Sequence, residues 1–293
     1  MEKRRPPWLR GKMRLGEDFL AMERVLKRWK LNTVCREASC PNIGECFSNK
    51  TATFLILGGF CTRTCAFCGV KKGIPLAPDP TEPERVAHAV RDIGLSHVVI
   101  TSVTRDDLFD GGAIAFAQTI RAIKEVNPDS VVEILIPDLR GSQDSLEILL
   151  NASPQIVGHN LEVVPRFYPQ ARSDANYERS RMVLRKVKEF SSLVVTKSGL
   201  MVGVGEEKKE ILDVMDDLRE VDCDLLTLGQ YLPPTAHNLP VQRYYTPCEF
   251  DELSQEGMKR GFRWVESGPL VRSSYHATRQ LENALTVPCR FGS

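Results

Sequence analysis

From Thr51 onward the sequence alternates short β-rich runs with helically spaced stretches, and this alternation limits the folds open to the chain more than any other feature. Residues 53–57, 97–102, 131–136, 155–158, 193–197 and 225–229 read as buried strands, being short, apolar and bounded by turn residues. Between them, residues 84–93, 113–126, 177–190 and 207–221 carry helical spacing. Thr81-Glu82-Pro83-Glu84 adds a helix start, with the threonine placed to cap and the glutamate placed to reach back. Strand then helix, repeated about six times, predicts an α/β fold of parallel βαβ units closing into a full or partial barrel. Such a barrel gathers its chemistry at the C-terminal ends of its strands.

Residues 1–50 follow a different pattern, rich in Arg, Lys, Pro and Cys and weakly periodic apart from an amphipathic stretch over 18–30. They read as an extension packed on something larger. The 39 basic and 38 acidic residues leave a net charge of +1, so no overall field draws nucleic acid or anionic lipid to the chain. Its apolar runs fall far short of the roughly 18 residues a membrane-spanning helix needs. Met-Glu-Lys-Arg-Arg-Pro-Pro-Trp starts positive but has no apolar run behind it, so it does not read as a secretory signal. A reducing compartment is expected: cytoplasm, with an organelle matrix after loss of a transit peptide looking the same.

Nine cysteines in such a setting point to metal or cluster ligation, because six of them fall between Cys35 and Cys68 and the chain is too large to need a disulfide framework. Cys61-Thr-Arg-Thr-Cys65-Ala-Phe-Cys68 follows directly on the first expected strand, in a loop at the active mouth of a barrel. Three thiolates so spaced can wrap one face of a 4Fe-4S cluster and leave its fourth iron open. An open iron can chelate S-adenosylmethionine and, given an electron, cleave it to a carbon radical. A zinc site would want a fourth Cys or His at short range, and none follows. Upstream, Cys35, Cys40 and Cys46 form a second triad, read either as ligands of another cluster or as buried thiols.

The C-x3-C-x2-C loop with Phe67 before its last cysteine resembles the radical S-adenosylmethionine superfamily, and with the upstream C-x4-C-x5-C triad the chain resembles the lipoyl synthase family. The similarity continues in the stretches 101–112, Ile136-Pro-Asp138, His159-Asn-Leu-Glu162, 197–203 and 229–233, and ends with Arg272-Ser-Ser-Tyr-His-Ala277. The resemblance implies a radical SAM partial (β/α)6 TIM-like barrel over 51–268, an extension over 1–50 carrying the auxiliary-cluster cysteines, and a segment over 269–293 supplying a serine ligand. That ligand falls on Ser274, with Ser273 as the alternative. It also implies two 4Fe-4S clusters and S-adenosylmethionine as co-substrate, used twice to insert sulfur at carbons six and eight of an octanoyl-lysine.

The implied partners are an octanoylated lipoyl carrier domain (of a 2-oxoacid dehydrogenase acyltransferase or the glycine cleavage H protein), a ferredoxin- or flavodoxin-type reductant and an iron-sulfur carrier that rebuilds the cluster. The carrier interface is expected to be transient, since the substrate must leave. Candidates for S-adenosylmethionine contacts are Thr101, Ser102 and Asp107 after the second strand, Asn160 and Glu162 after the fourth, and Arg172 as a planar fork for the methionine carboxylate. His88, His97, Cys223, Cys248 and Cys289 read as packed or incidental, His276 draws interest only as a neighbour of Ser274, and Gly111-Gly112 lacks the order of a nucleotide loop. The rivals are a biotin-synthase-like sulfur inserter and a non-catalytic iron-sulfur or zinc protein.

Overall fold

In the computed structural model, which describes residues 5–11 and 16–286, the strands are β1 (Asn32–Thr33), β2 (Thr53–Ile56), β3 (Phe60–Cys61), β4 (Lys71–Lys72), β5 (His97–Ser102), β6 (Val131–Leu135), β7 (Ile156–Gly158), β8 (Val195–Val202), β9 (Leu225–Gln230) and β10 (Trp264–Gly268). One sheet runs β1-β2-β5-β6-β7-β8-β9-β10, parallel from β2 to β10, with β1 antiparallel on its edge. Among the described residues the parallel barrel strands thus number seven, where the sequence pattern yielded six. The addition is β10, whose Trp-Val-Glu-Ser-Gly run mixes polar and apolar residues too evenly to read as a buried strand.

The helices are α1 (Glu17–Arg28), α2 (Val34–Glu37), α3 (Ile43–Ser48), α4 (Glu82–Ile93), α5 (Ala113–Val126), α6 (Gln143–Leu150), α7 (Tyr168–Ala171), α8 (Tyr177–Phe190), α9 (Lys208–Arg219), α10 (Pro247–Lys259) and α11 (Ala277–Thr286). Helix α5 shows why they form: Ala113, Phe116, Ala117, Ile120 and Ile123 recur at three- and four-residue steps and are buried as one stripe. Helix α4 begins at Glu82, and its expected cap is not made. The Thr81 hydroxyl donates to Asp79 Oδ1 at 2.7 Å, while Glu82 Oε2 accepts from the Leu57 backbone at 2.8 Å.

Helix α11 closes one end of the barrel. Its Leu281 and Ala284 pack with Ile156, Val195 and Leu225, the opening residues of three strands. The strand C-termini are left to form the other end. Within the barrel, Glu133 bonds to His97 Nε2 at 3.0 Å and to Lys197 Nζ at 2.7 Å, all three buried. His97 is therefore a packed, partnered residue, and His88 likewise stacks on Trp29 with ring centres 5.2 Å apart. Cys289 lies outside the described residues, as does the rest of the 269–293 segment beyond Thr286.

Candidate active site

The upstream cysteines sit on a turn-rich loop: Cys35 on α2, Cys40 after it and Cys46 on α3. Backbone bonds from Cys40 N to the Cys35 carbonyl (3.0 Å) and from Cys46 N to the Asn42 carbonyl (2.9 Å) curl the loop, and the three thiols come near enough for their charges to act on one another. All three are free. Burial pushes the Cys35 thiol up to about 11 and the Cys46 thiol up to about 12, with the charges of the neighbouring cysteines adding to the rise. Such thiols stay neutral at pH 7 unless a cation displaces their protons, which is the chemistry of a metal donor set.

The second triad runs from Cys61 at the end of β3 into the loop before β4, where burial pushes Cys65 up to about 11 and also raises Cys68, each feeling Cys61. The loop is fixed from several sides. Arg63, only 6 % exposed, donates to Asp106 at 2.7 and 2.9 Å and to Asp138 at 2.7 Å. Arg179 meets the other Asp138 oxygen at 2.8 Å. Burial opposes the charge on Asp138, yet the Arg63 bonds bring it down to about 2, so the fork stays ionic. Ala66 N donates to the Ala171 carbonyl and Asn238 Nδ2 to the Ala66 carbonyl, at 2.8 and 2.9 Å.

Cys35, Cys40, Cys46 and Cys68 line one cavity of about 480 Å³ at the barrel mouth, together with Asn160, Glu162, Ser273 and Ser274. Among the described residues no three His, Cys, Asp or Glu side chains converge on the position of a single ion. Zinc would demand that convergence at about 2.3 Å from each sulfur, whereas a 4Fe-4S cluster spreads three thiolates over three irons.

Glu162 adopts a left-handed φ of 69°, held there by its N–H to the Gly199 carbonyl (2.9 Å) and its carbonyl from Met201 N (2.8 Å). A non-glycine residue in that region is strained, and strain of this kind collects at working sites. Burial raises its carboxyl, while Arg172 and the 3.0 Å bond from Asn160 Nδ2 work against the rise. Asn160 Nδ2 also reaches Ser273 Oγ at 2.6 Å. Arg172 lies over the Tyr168 ring and donates Nη1 to the Asn160 carbonyl at 2.8 Å. Among the buried polar atoms without a partner are Asn160 Oδ1, Arg172 Nε, Ser102 Oγ and the hydroxyl of Tyr231, a residue of the cavity lining.

Two sequence candidates are occupied elsewhere. Thr101 donates its hydroxyl to the Leu135 carbonyl at 2.9 Å and Asp107 grips Arg105 at 2.7 Å; both lie outside the cavity lining, as do Ser102 and Arg172. Conversely, Arg63, Asn42, Glu45 and Arg272 drew no notice as single residues. The first three lie inside the cysteine spacings, and their meaning depends on distant partners.

Residues 55–218 match the Radical SAM superfamily. The chain is 51 % identical to the lipoyl synthase of Symbiobacterium thermophilum, over 96 % of this chain and 88 % of that one. It is 53 % identical to the lipoyl synthase of Dichelobacter nodosus over the same shares. The chain belongs to the lipoyl synthase family. In fold it resembles the [FeFe]-hydrogenase maturase HydG, with a TM-score of 0.58 and 11 % identity over 86 % of this chain and 56 % of that one. It resembles Streptococcus suis SuiB bound to S-adenosylmethionine with a TM-score of 0.55 and 14 % identity over 77 % and 47 %. The lipoyl synthase family is a radical SAM family, and the donor set here fits its cofactors: two groups of three free thiols, and buried polar atoms left over beside the second.

Proposed function

We propose that this chain inserts two sulfur atoms, at carbons six and eight, into an octanoyl-lysine on a lipoyl carrier domain. The observation that carries the reading is one cavity lined by the upstream triad, Cys68 of the loop triad and the Ser273–Ser274 pair. When bound, two 4Fe-4S clusters and S-adenosylmethionine supply the electron, the hydrogen-abstracting radical and the sulfur. Cys61, Cys65 and Cys68 hold the cluster with an open iron. Cys35, Cys40, Cys46 and Ser274 hold the auxiliary one.

Ser274 is favoured over Ser273 because the Ser273 hydroxyl already accepts from Asn160, while among the described residues Ser274 Oγ has no hydrogen-bond partner. Arg172 Nε, Asn160 Oδ1, Ser102 Oγ and the Glu162 carboxyl are the groups that hold S-adenosylmethionine, the guanidinium suiting its carboxylate. Apolar side chains such as Phe67, Leu135, Met201 and Val271 line the rest and keep water from the radical. Segments 1–50, 51–268 and 269–293 act as cluster-bearing extension, barrel and serine donor. The carrier is the lipoyl domain of an acyltransferase or H protein, a ferredoxin or flavodoxin supplies electrons, and an iron-sulfur carrier restores the auxiliary cluster. Among the described residues no helix is long and apolar enough to cross a membrane, in keeping with work in the cytoplasm.

The test is anaerobic reconstitution, iron and sulfide analysis, then dithionite, S-adenosylmethionine and an octanoyl-lysyl peptide, read by mass spectrometry. About eight irons, 5'-deoxyadenosine and a peptide gaining two sulfurs are expected. Deoxyadenosine without sulfur transfer would refute the substrate or the auxiliary site.

A second prediction comes from Gly229. A Cβ there would stand 2.1 Å from the Val271 carbonyl oxygen and 3.3 Å from Arg272 Nη1, so only glycine lets the C-terminal segment lie against β9. Gly229→Ala is expected to displace that segment and lower iron from about eight to about four per chain, while deoxyadenosine still forms.

A further inference from the structure

Between β10 and α11 the chain crosses the auxiliary site as residues 269–276 without a regular helix or strand of its own. What fixes its path is a set of contacts to the loop that carries the upstream cysteines. Asn42 Nδ2, on a side chain only 3 % exposed, donates to the Leu270 carbonyl at 2.6 Å. The Tyr275 hydroxyl donates to Glu45 Oε1 at 3.2 Å. Asn42 and Glu45 lie between Cys40 and Cys46, and Leu270 and Tyr275 lie on either side of Ser273 and Ser274.

His276 tightens the second contact. Its ring stacks on Tyr275 with centres 3.8 Å apart, and its nitrogens lie 3.7 Å from Glu45 and 3.9 Å from Glu266 of β10. From the barrel side Asn160 holds Ser273. The segment is thus tied before, within and after the serine pair, and the serine left over is Ser274.

We propose that Asn42 and Glu45 form a two-point clasp that holds residues 270–275 over the upstream cysteines and so sets the reach of the Ser274 oxygen, with Glu45 as a positioning residue. This rests on Ser274 being the ligand. A group that orients a ligand without touching the metal commonly costs about 10–100-fold in metal affinity or activity when removed.

The experiment compares full-length, anaerobically reconstituted protein with Ser274→Ala, Glu45→Ala, Glu45→Gln, Tyr275→Phe and the Glu45→Ala/Tyr275→Phe pair. The readouts are the ⁵⁷Fe Mössbauer spectrum of the auxiliary cluster, deoxyadenosine formation and sulfur-bearing product. Ser274→Ala, Glu45→Ala and Tyr275→Phe are each expected to alter one iron subsite and lower product about ten-fold or more, with deoxyadenosine still formed. Glu45→Gln should restore the wild-type spectrum, because its amide oxygen still accepts from Tyr275. The double variant should be no worse than either single one if both act through one bond. A wild-type spectrum and product yield in Glu45→Ala, alongside an altered Ser274→Ala, would overturn the clasp alone. A wild-type Ser274→Ala would instead overturn the ligand reading on which it stands.

Discussion

Alanine at Cys61, Cys65 or Cys68 is expected to abolish 5'-deoxyadenosine formation, whereas alanine at Cys35, Cys40 or Cys46 leaves deoxyadenosine and removes the sulfur-bearing product. Either change lowers iron from about eight to about four per chain, so iron content alone does not separate the two triads. The deoxyadenosine assay does. The asymmetry follows from where the triads sit. The loop of Cys61, Cys65 and Cys68 is locked to the ends of the barrel strands through Arg63, Asp106 and Asp138, and the charges of Arg172 and Glu162, proposed to hold S-adenosylmethionine, act on Cys65. The upstream loop is tied to the C-terminal segment by separate bonds. The two loops are held by different sets of bonds, so each loss is expected to stay local. If Cys40→Ala abolished deoxyadenosine as thoroughly as Cys68→Ala, the division of labour would be wrong. Deoxyadenosine made in excess of product by Cys40→Ala would be its clearest confirmation.

Much of the barrel could be read from periodicity because its strands are buried on both faces and its helices bury one stripe. Strand β5 and helices α5 and α8 lie where that pattern places them. Strand β8 runs on to Val202, five residues past the expected stop at Lys197. Gly199 lies within the strand, where a Cβ would stand 2.8 Å from Thr227 Oγ1 and 2.9 Å from Asn160 Oδ1. Helix α10 announces itself with a capping box, Thr246 with Glu249, and Pro247 at its first position, a start signal that the search for apolar periodicity passed over.

The site divides along the same line. The six clustered cysteines are legible because their spacing is short and local. Their supports are not: Arg63 finds its carboxylates 43 and 75 residues away, and Glu45 meets Tyr275 across 230. No local pattern encodes a contact of that span, so Asp107 looked more promising than Asp106 although it is Asp106 that grips the cluster loop. The motif Arg272-Ser-Ser-Tyr-His brought Ser274 forward by resemblance, with Ser273 as the alternative; the bond from Asn160 to Ser273, across 113 residues, is a contact that the motif does not encode.

Glu133→Gln is expected to cost the fold about 3–5 kcal/mol, the usual consequence of leaving a buried charge without its partner. Glu133, His97 and Lys197 lie inside the barrel with no solvent to compensate for a missing member. Burial by itself would raise the Glu133 carboxyl, but the Lys197 charge and the His97 bond bring it down from 4.5 to about 2. A carboxyl depressed in the fold stabilises it above the unfolded value near 4.5 and loses that contribution as pH falls toward 2. At about 1.4 kcal/mol per unit the contribution is roughly 3 kcal/mol, so wild-type melting temperature should drop steeply between pH 4.5 and pH 3 and that of Glu133→Gln much less. At pH 7 the variant should melt on the order of 10 °C lower, and adding Lys197→Met should recover part of the loss by removing the stranded charge. Scanning fluorimetry of wild type and both variants across pH decides it. Equal melting temperatures at pH 7, or parallel pH curves, would mean that the trio is not the desolvated ionic knot its burial indicates.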